Sequence, residues 1–209
     1  MPTWRERAAR EQRAAAEAAE AGPELASALP KAALTLAVLV WGATFLLAVF
    51  VLPDQVPTHW PGSSGSDGLV RADGWSSKPG ALVFMALTFA GVTPLVLVSR
   101  LVVKAPASIN ISNKDWWTAQ GSRLVRLERL LREDLMLIVA ATIALLAAID
   151  VQIVVASRLA DGASPWWIFW VFLGGYFTVL AVILVRMLAG ARYRPYEEDV
   201  SSTEENDGG

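Results

Sequence analysis

Four long apolar stretches constrain this chain more than any other feature of its sequence. Each has about twenty residues, and at a rise of roughly 1.5 Å per residue a helix of that length crosses the ~30 Å hydrocarbon core of a bilayer. The stretches are apolar on every side of a helix, whereas a soluble bundle would keep a polar face on each. The sequence therefore predicts an all-α integral membrane protein with four transmembrane helices, at residues 32–52, 80–99, 135–156 and 166–185.

Composition supports this class and excludes others. Hydrophobic residues make up 54% of the chain, against about 45–50% in an ordinary soluble domain, so the excess is expected to face lipid. The net charge of -2 argues against a nucleic-acid partner, which would favour a strongly basic domain. The chain has no cysteine, which excludes disulfides and thiolate metal sites. Pro94 lies inside the second stretch and predicts a kink there.

The basic residues predict the orientation of the helices. Fifteen of the eighteen lie before the first stretch, between the second and third, or after the fourth, and basic connections stay on the cytoplasmic side. Both termini are therefore expected in the cytoplasm, and the loop at residues 52–78, here called the His59 loop, on the outside. The three exceptions are Arg71, Lys78 and Arg158.

The two ends of the chain are predicted to lie outside the transmembrane domain, which covers residues 31–190. Thr3 and Glu6 have the spacing of a capping box that starts a helix at Trp4. No apolar stripe follows, so the arm at residues 1–30 is interpreted as a solvated helix or partly disordered segment, with a partner-binding helix as the alternative. Residues 191–209 form an acidic tail that is predicted to be disordered and cytoplasmic.

The connection between the second and third stretches predicts an amphipathic helix. Leu124, Leu127 and Leu131 recur at helical spacing while charged residues fill the other face. Such a helix would lie on the cytoplasmic membrane surface, where its arginines could meet anionic headgroups. A docking face for a cytoplasmic regulator is the alternative. The residues expected at this surface or regulator contact are Lys114, Arg123, Arg126, Arg129 and Arg132.

Asp150 is an acid within the third stretch. A carboxylate at membrane depth is costly, so it is expected to face protein or water, and such acids are candidate functional sites. A structural hydrogen bond to another helix or to the His59 loop explains it equally well, and both interpretations stay open.

His59 is the only histidine of the chain and lies in a turn rich in proline and aromatic residues, between Pro57 and Trp60. Such a histidine most often holds its loop through hydrogen bonds. The alternative is a pH-sensitive or ligand contact with one of the nearby acids, Asp54, Asp67, Asp73 or Asp150. One imidazole with scattered carboxylates lacks the spacing of a zinc site. We therefore predict no metal, no cofactor and no catalytic residues.

Two motifs resemble a known family. Leu52-Pro53-Asp54, Pro57-Thr58-His59-Trp60 and the segment from Asp73 to Lys78 before a transmembrane helix resemble a bacterial membrane family related to the SdpI immunity proteins. The segment from Ile109 to Trp117 is similar to a second motif of such proteins. The resemblance covers residues 35 to 157, and the Gly/Ser insertion between His59 and Asp73 is longer than in that family.

The resemblance implies a multi-pass protein of the bacterial cytoplasmic membrane. The SdpI proteins protect their producer against a secreted toxic peptide and can hold a transcriptional repressor at the membrane. We therefore expect a non-enzymatic protein of immunity or signal-sensing type, whose His59 loop contacts a peptide or envelope component. The alternatives are an accessory subunit of a larger membrane complex and, less favoured, a small proton-coupled transporter. The expected partners are the bilayer, a membrane protein or a cytoplasmic regulator, and homo-oligomerisation is left open.

Overall fold

The computed structural model describes residues 3–62, 64–188 and 191–195. Within these residues it confirms a mostly helical chain in which four helical segments are long and apolar enough to cross a membrane: Ala28–Val51, Lys78–Lys104, Gly121–Ala156 and Trp166–Leu188. The helices are α1 (Trp4–Ala21), α2 (Ala28–Val51), α3 (Lys78–Val92), α4 (Leu101–Lys104), α5 (Lys114–Trp117), α6 (Gly121–Ala156) and α7 (Trp166–Leu188). The strands are β1 (Gln55–His59), β2 (Leu69–Val70), β3 (Gly74–Ser77) and β4 (Ser164–Pro165).

The helix boundaries differ from the predicted spans mainly at the N-terminal ends. Helix α2 begins at Ala28 and accommodates Pro30, because proline is tolerated in the first turn, where its missing N–H has no helical partner. Where a kink was predicted at Pro94, the helix type changes: α3 ends at Val92 and a 3-10 helix follows from Thr93 to Arg100. The second candidate span therefore changes its helical geometry part of the way along.

The chain divides into two compact units, which we describe separately. The loop unit comprises Ala28–Leu95 and Met136–Val182, and it contains the His59 loop. The arm unit comprises Met1–Ser27, Val96–Leu135 and Ile183–Gly209. Each unit has its own cluster of buried apolar residues.

The loop unit contains two small antiparallel sheets, which the prediction of an all-α chain missed. Strand β1 pairs with β3, with Val56 opposite Ser76, and the register shifts between Pro57 and His59. Strand β2 pairs with β4, so that Leu69 lies opposite Pro165. Val56 is fully buried beside Met85 of α3, which anchors β1 on the helices. These strands were missed because each is too short for an alternating pattern to appear.

Helix α1 of the N-terminal arm packs within the arm unit, on α6 and the segment before it, whereas the sequence was interpreted as a solvated helix or partly disordered segment. The capping box of Thr3 and Glu6 is confirmed. Ala14 and Ala18 are buried in one cluster with Trp117 and Leu124, so the packed face of α1 consists of alanines. Its approach to α6 is close, since a Cβ added at Gly121 would lie 2.4 Å from the Cβ of Glu17.

The predicted surface helix is the first part of the 36-residue helix α6. Its leucine stripe is covered by protein, because Leu124 and Leu127 are buried in the cluster that α1 completes. The beginning of the predicted disordered tail is also structured: Ala191–Tyr193 form a 3-10 turn, and Tyr193 is buried. The rest of that tail, residues 196–209, lies outside the described residues.

Candidate functional site

The His59 loop is held by contacts with the connection between α6 and α7. The indole N–H of Trp60 donates to the carbonyl of Gly162 at 2.8 Å, and the amide of Ala72 donates to the carbonyl of Asp161 at 3.0 Å. The guanidinium group of Arg158 donates to the carbonyl of Val51. Two connections that are distant in sequence therefore fold into one layer.

Gly162 is required for this contact. Its φ of 59° lies in the left-handed region, which side chains other than glycine rarely adopt. A Cβ at this position would lie 2.9 Å from the Cβ atoms of both Ala72 and Pro57. The close approach fixes Pro57 in β1, directly before the exposed end of that strand, which carries His59.

His59 pairs with Asp73 at the bulged end of the β1–β3 sheet. The His59 Nδ1 and Asp73 Oδ1 atoms are 2.5 Å apart, and the side chains keep 70% and 52% of their surface exposed. The amide of Asp73 also donates to the carbonyl of His59 at 3.1 Å. Gly74 permits this pairing, because a Cβ there would lie 2.7 Å from the Cβ of His59. The loop thus presents a preformed and accessible His–Asp pair.

The other acids of the loop have different roles. The backbone carbonyl of Asp54 accepts a hydrogen bond of 3.0 Å from the amide of Lys78. This contact lies just before β1 begins and just after β3 ends. Asp67 is bound by Arg71 at 2.7 Å, and the hydrogen bond from Arg71 lowers the pKa of the Asp67 carboxyl below its usual range. Arg71 also lies 4.0 Å from Asp161. The spacing of Asp67 and Arg71 was a visible signal, whereas Asp161 comes from a distant connection.

Asp150 is buried elsewhere in the loop unit, with 5% of its surface exposed. The partner that the structure gives to its carboxyl group, among the described residues, is the indole of Trp41. The contact does not have the geometry of a hydrogen bond, so the buried Trp41 Nε1 and Asp150 Oδ2 atoms have no hydrogen-bond partner among the described residues. The Trp41 ring is stacked on Phe89, with 3.9 Å between ring centroids.

Of the four predicted site residues, the structure brings together His59 and Asp73. The contacts of Asp54 and Asp150 are with Lys78 and Trp41, respectively.

The predicted basic residues of the arm unit have partners within the chain. Lys114 lies 3.7 Å from Glu11, and the Arg123 guanidinium group lies over the Trp116 ring at 4.3 Å. Arg129 and Arg132 bind the Glu24 side chain and backbone carbonyl, respectively. Arg126 also takes part in an interaction. These contacts compete with the predicted headgroup or regulator contacts.

Glu128 was expected on the polar face of the predicted surface helix, and Glu133 and Asp134 were not predicted as special, but all three acids are buried in the first half of α6 and are here called the α6 acid cluster. Buried carboxylates need charged or hydrogen-bonded partners. Glu128 meets Arg132 at 3.2 Å, and Glu133 meets Arg192 at 2.6 Å. A signal was present, because Glu128 follows Leu124 by four residues and Asp134 follows Leu127 by seven, which places both acids on the apolar stripe.

Asp134, on α6, contacts two of the last described residues of the chain, Arg192 and Tyr193. It accepts a hydrogen bond of 2.6 Å from the Tyr193 hydroxyl and lies 3.4 Å from the Arg192 Nε atom. Burial, with the adjacent Asp134 carboxylate, raises the pKa of the Tyr193 phenol well above its usual value. The hydroxyl therefore stays protonated and donates throughout the physiological pH range.

Neither a metal-binding group nor a known relative identifies the role of this site. In the described ranges, no group of three or more His, Asp or Glu residues is arranged to hold a metal ion. No family model, characterised protein or solved structure matches the chain.

Proposed function

We propose that this chain is a non-enzymatic protein of the bacterial cytoplasmic membrane, and that its His59 loop recognises a peptide or envelope component. The proposal includes cytoplasmic termini, an outer His59 loop and an immunity or signal-sensing role like that of the SdpI proteins. The observation that carries it is the exposed His59–Asp73 pair on a loop held by Trp60 and Gly162. Rigid presentation of polar groups lowers the cost of ordering them on binding.

The chemistry of the pair favours a ligand with both polar and apolar parts. Because Asp73 engages the Nδ1 atom of His59, the Nε2 atom is the ring nitrogen left for a ligand. Trp75 lies on β3 opposite Pro57 and keeps 47% of its surface exposed. Exposed aromatic side chains are frequent anchors in protein interfaces. A histidine, a carboxylate and an indole on one small sheet suit an amphipathic peptide.

The burial of Asp150 favours this proposal over the alternatives. An accessory subunit that assembled through Asp150 would need that carboxyl group at its surface, but the side chain is 5% exposed. A proton-coupled transporter using His59 and Asp150 together would need them in one pathway, but their partners are Asp73 and Trp41, respectively. The His59–Asp73 pair is therefore the better candidate for contact with a ligand.

A protection assay tests the recognition role. Deleting the gene is expected to sensitise cells to a secreted antimicrobial peptide, and the wild-type chain to restore resistance. His59→Ala and Asp73→Asn should each lose most of that protection at unchanged protein levels. Asp54→Asn is the matched control, because Asp54 acts through its backbone. Full protection by both site variants would refute the proposed role of the pair.

Labelling tests the orientation separately. The chain has no cysteine, so single-cysteine variants report one position each. A membrane-impermeant maleimide should label Thr58→Cys in intact cells and Ser122→Cys only after permeabilisation; both positions are exposed. The opposite pattern would place the His59 loop in the cytoplasm and exclude an extracellular ligand.

A further inference from the structure

An open groove of about 1130 Å³ lies in the arm unit. It is larger than the ~300–1000 Å³ typical of small-molecule pockets. Its lining includes the motif from Ile109 to Asn113, which the proposed function does not use. We call it the arm-unit groove.

The lining combines an apolar wall with polar groups. Leu101, Leu131 and Leu188 come from α4, α6 and α7, and all three line the groove. Asn110 and Ser112 contribute an amide and a hydroxyl group, and Arg194 contributes a positive charge. A ligand that satisfies this lining needs a long apolar part and an anionic head.

The position of the apolar wall indicates where such a ligand comes from. Leu101 and Leu188 lie at the ends of two candidate membrane spans, Lys78–Lys104 and Trp166–Leu188. They keep 57% and 85% of their surface exposed, so apolar side chains line the groove where the two candidate spans end. Lipid is the partner that a bilayer supplies to an apolar surface at this place.

We infer that the arm-unit groove binds one anionic phospholipid, with an acyl chain against Leu101, Leu131 and Leu188 and its phosphate toward Arg194. The charge fits, because basic residues near a membrane surface attract anionic headgroups. The polar part of the motif serves the same purpose, since the Asn110 amide and Ser112 hydroxyl can donate hydrogen bonds to phosphate or glycerol oxygens. This site requires a membrane location but not the proposed role of the His59 loop.

Native mass spectrometry of the full chain in mild detergent tests this site. The delipidated protein is titrated with phosphatidylglycerol and with phosphatidylcholine of the same acyl chains. One phosphatidylglycerol is expected to remain bound, with about fivefold preference over phosphatidylcholine from one basic contact. Ser108→Trp should abolish retention, because Ser108 lines the groove. Arg194→Gln should leave binding in place and remove the preference.

Matched controls keep the result specific to the groove. Ala107→Trp adds the same bulk at a neighbouring exposed position that does not line it, and Arg13→Gln removes an exposed charge on α1; both should behave as wild type. Unchanged retention in Ser108→Trp, or equal retention of the two lipids by wild type, would overturn the inference. If lipid bound only to a chain truncated after Pro195, residues 196–209 would be the occupant instead, which would also overturn it.

Discussion

The His59 loop and the α6 acid cluster both pair opposite charges, but they do so in opposite environments. The His59–Asp73 and Asp67–Arg71 pairs are largely exposed, whereas Glu128, Glu133 and Asp134 are almost completely buried. Exposed pairs contribute little to stability, while a buried charge that loses its partner is strongly destabilising. The comparison indicates that charges of the loop are available for recognition and that those of α6 hold the chain together.

The largest expected effect comes from removing a member of the α6 acid cluster. Asp134→Ala removes the carboxylate that pairs with the Arg186 guanidinium group and accepts from the Tyr193 hydroxyl, and it leaves the Arg192 guanidinium group with Glu133 alone. The loss should be about 3–5 kcal/mol of unfolding free energy, as for other broken buried pairs. Chemical denaturation in detergent micelles measures it. Asp54→Ala, at an exposed acid, should stay within about 0.5 kcal/mol of wild type; equal losses would abolish the distinction between the two regions.

A smaller effect is expected where α1 meets α6. Gly121→Ala places a Cβ 2.4 Å from the Glu17 Cβ and 2.9 Å from the Ala18 amide nitrogen, so the helices must separate. Overpacking of this kind costs about 1–3 kcal/mol. The matched change Gly42→Ala meets no atom within 4 Å and should stabilise the helix by up to about 1 kcal/mol. Thermal unfolding of the two variants should therefore shift in opposite directions.

The loop framework should be more tolerant. Trp60→Phe removes the hydrogen bond of 2.8 Å to the Gly162 carbonyl while keeping most of the aromatic ring. A loss of about 0.5–1.5 kcal/mol is expected, together with faster hydrogen exchange at β1 and β3. Unchanged exchange at those strands would show that this bond does not hold the loop.

The smallest expected effect is a pH dependence at Asp67. Its pKa is lowered in the folded protein by the hydrogen bond from Arg71. The stabilisation that the Asp67–Arg71 pair contributes is therefore present above the ordinary aspartate pKa. It is lost as the pH falls through the lowered pKa of Asp67. NMR titration of the carboxyl carbon should show the pKa rising in Arg71→Gln. The global unfolding free energy should hardly change, because the pair is exposed; a large change would contradict the comparison.

Local features of the chain were predictable from the sequence, and contacts between distant segments were not. The four apolar stretches, the capping box at Thr3 and the break near Pro94 depend on neighbouring residues alone. The pairing of Leu69 with Pro165 and the contact of Trp60 with Gly162 join segments that share no pattern. The packing of α1 was missed because alanine, which is small and common on exposed helices, gives no apolar stripe.

The candidate site was predicted in part for the same reason. His59 and Asp73 were both among the candidate residues, but their mutual contact depends on the bulge in β1. Asp150 was identified as a buried acid, and its partner Trp41 could not be identified, since any of three other helices could have supplied it. The α6 acid cluster was missed because the charged residues, Glu128 among them, were placed on a polar face and the leucine stripe was interpreted as facing a membrane, which left no reason to expect acids buried against protein.

The contact between the two connections has a consequence for biogenesis. Strand β2 cannot pair with β4 until the ribosome has made roughly 90 further residues, which takes about 5–20 s at ordinary rates of synthesis. During that interval the His59 loop between α2 and α3 lacks its contacts with the connection between α6 and α7. The contacts that hold the His59 loop are therefore completed late, after α6 has been synthesised, and a nascent chain stalled before that stage would lack them.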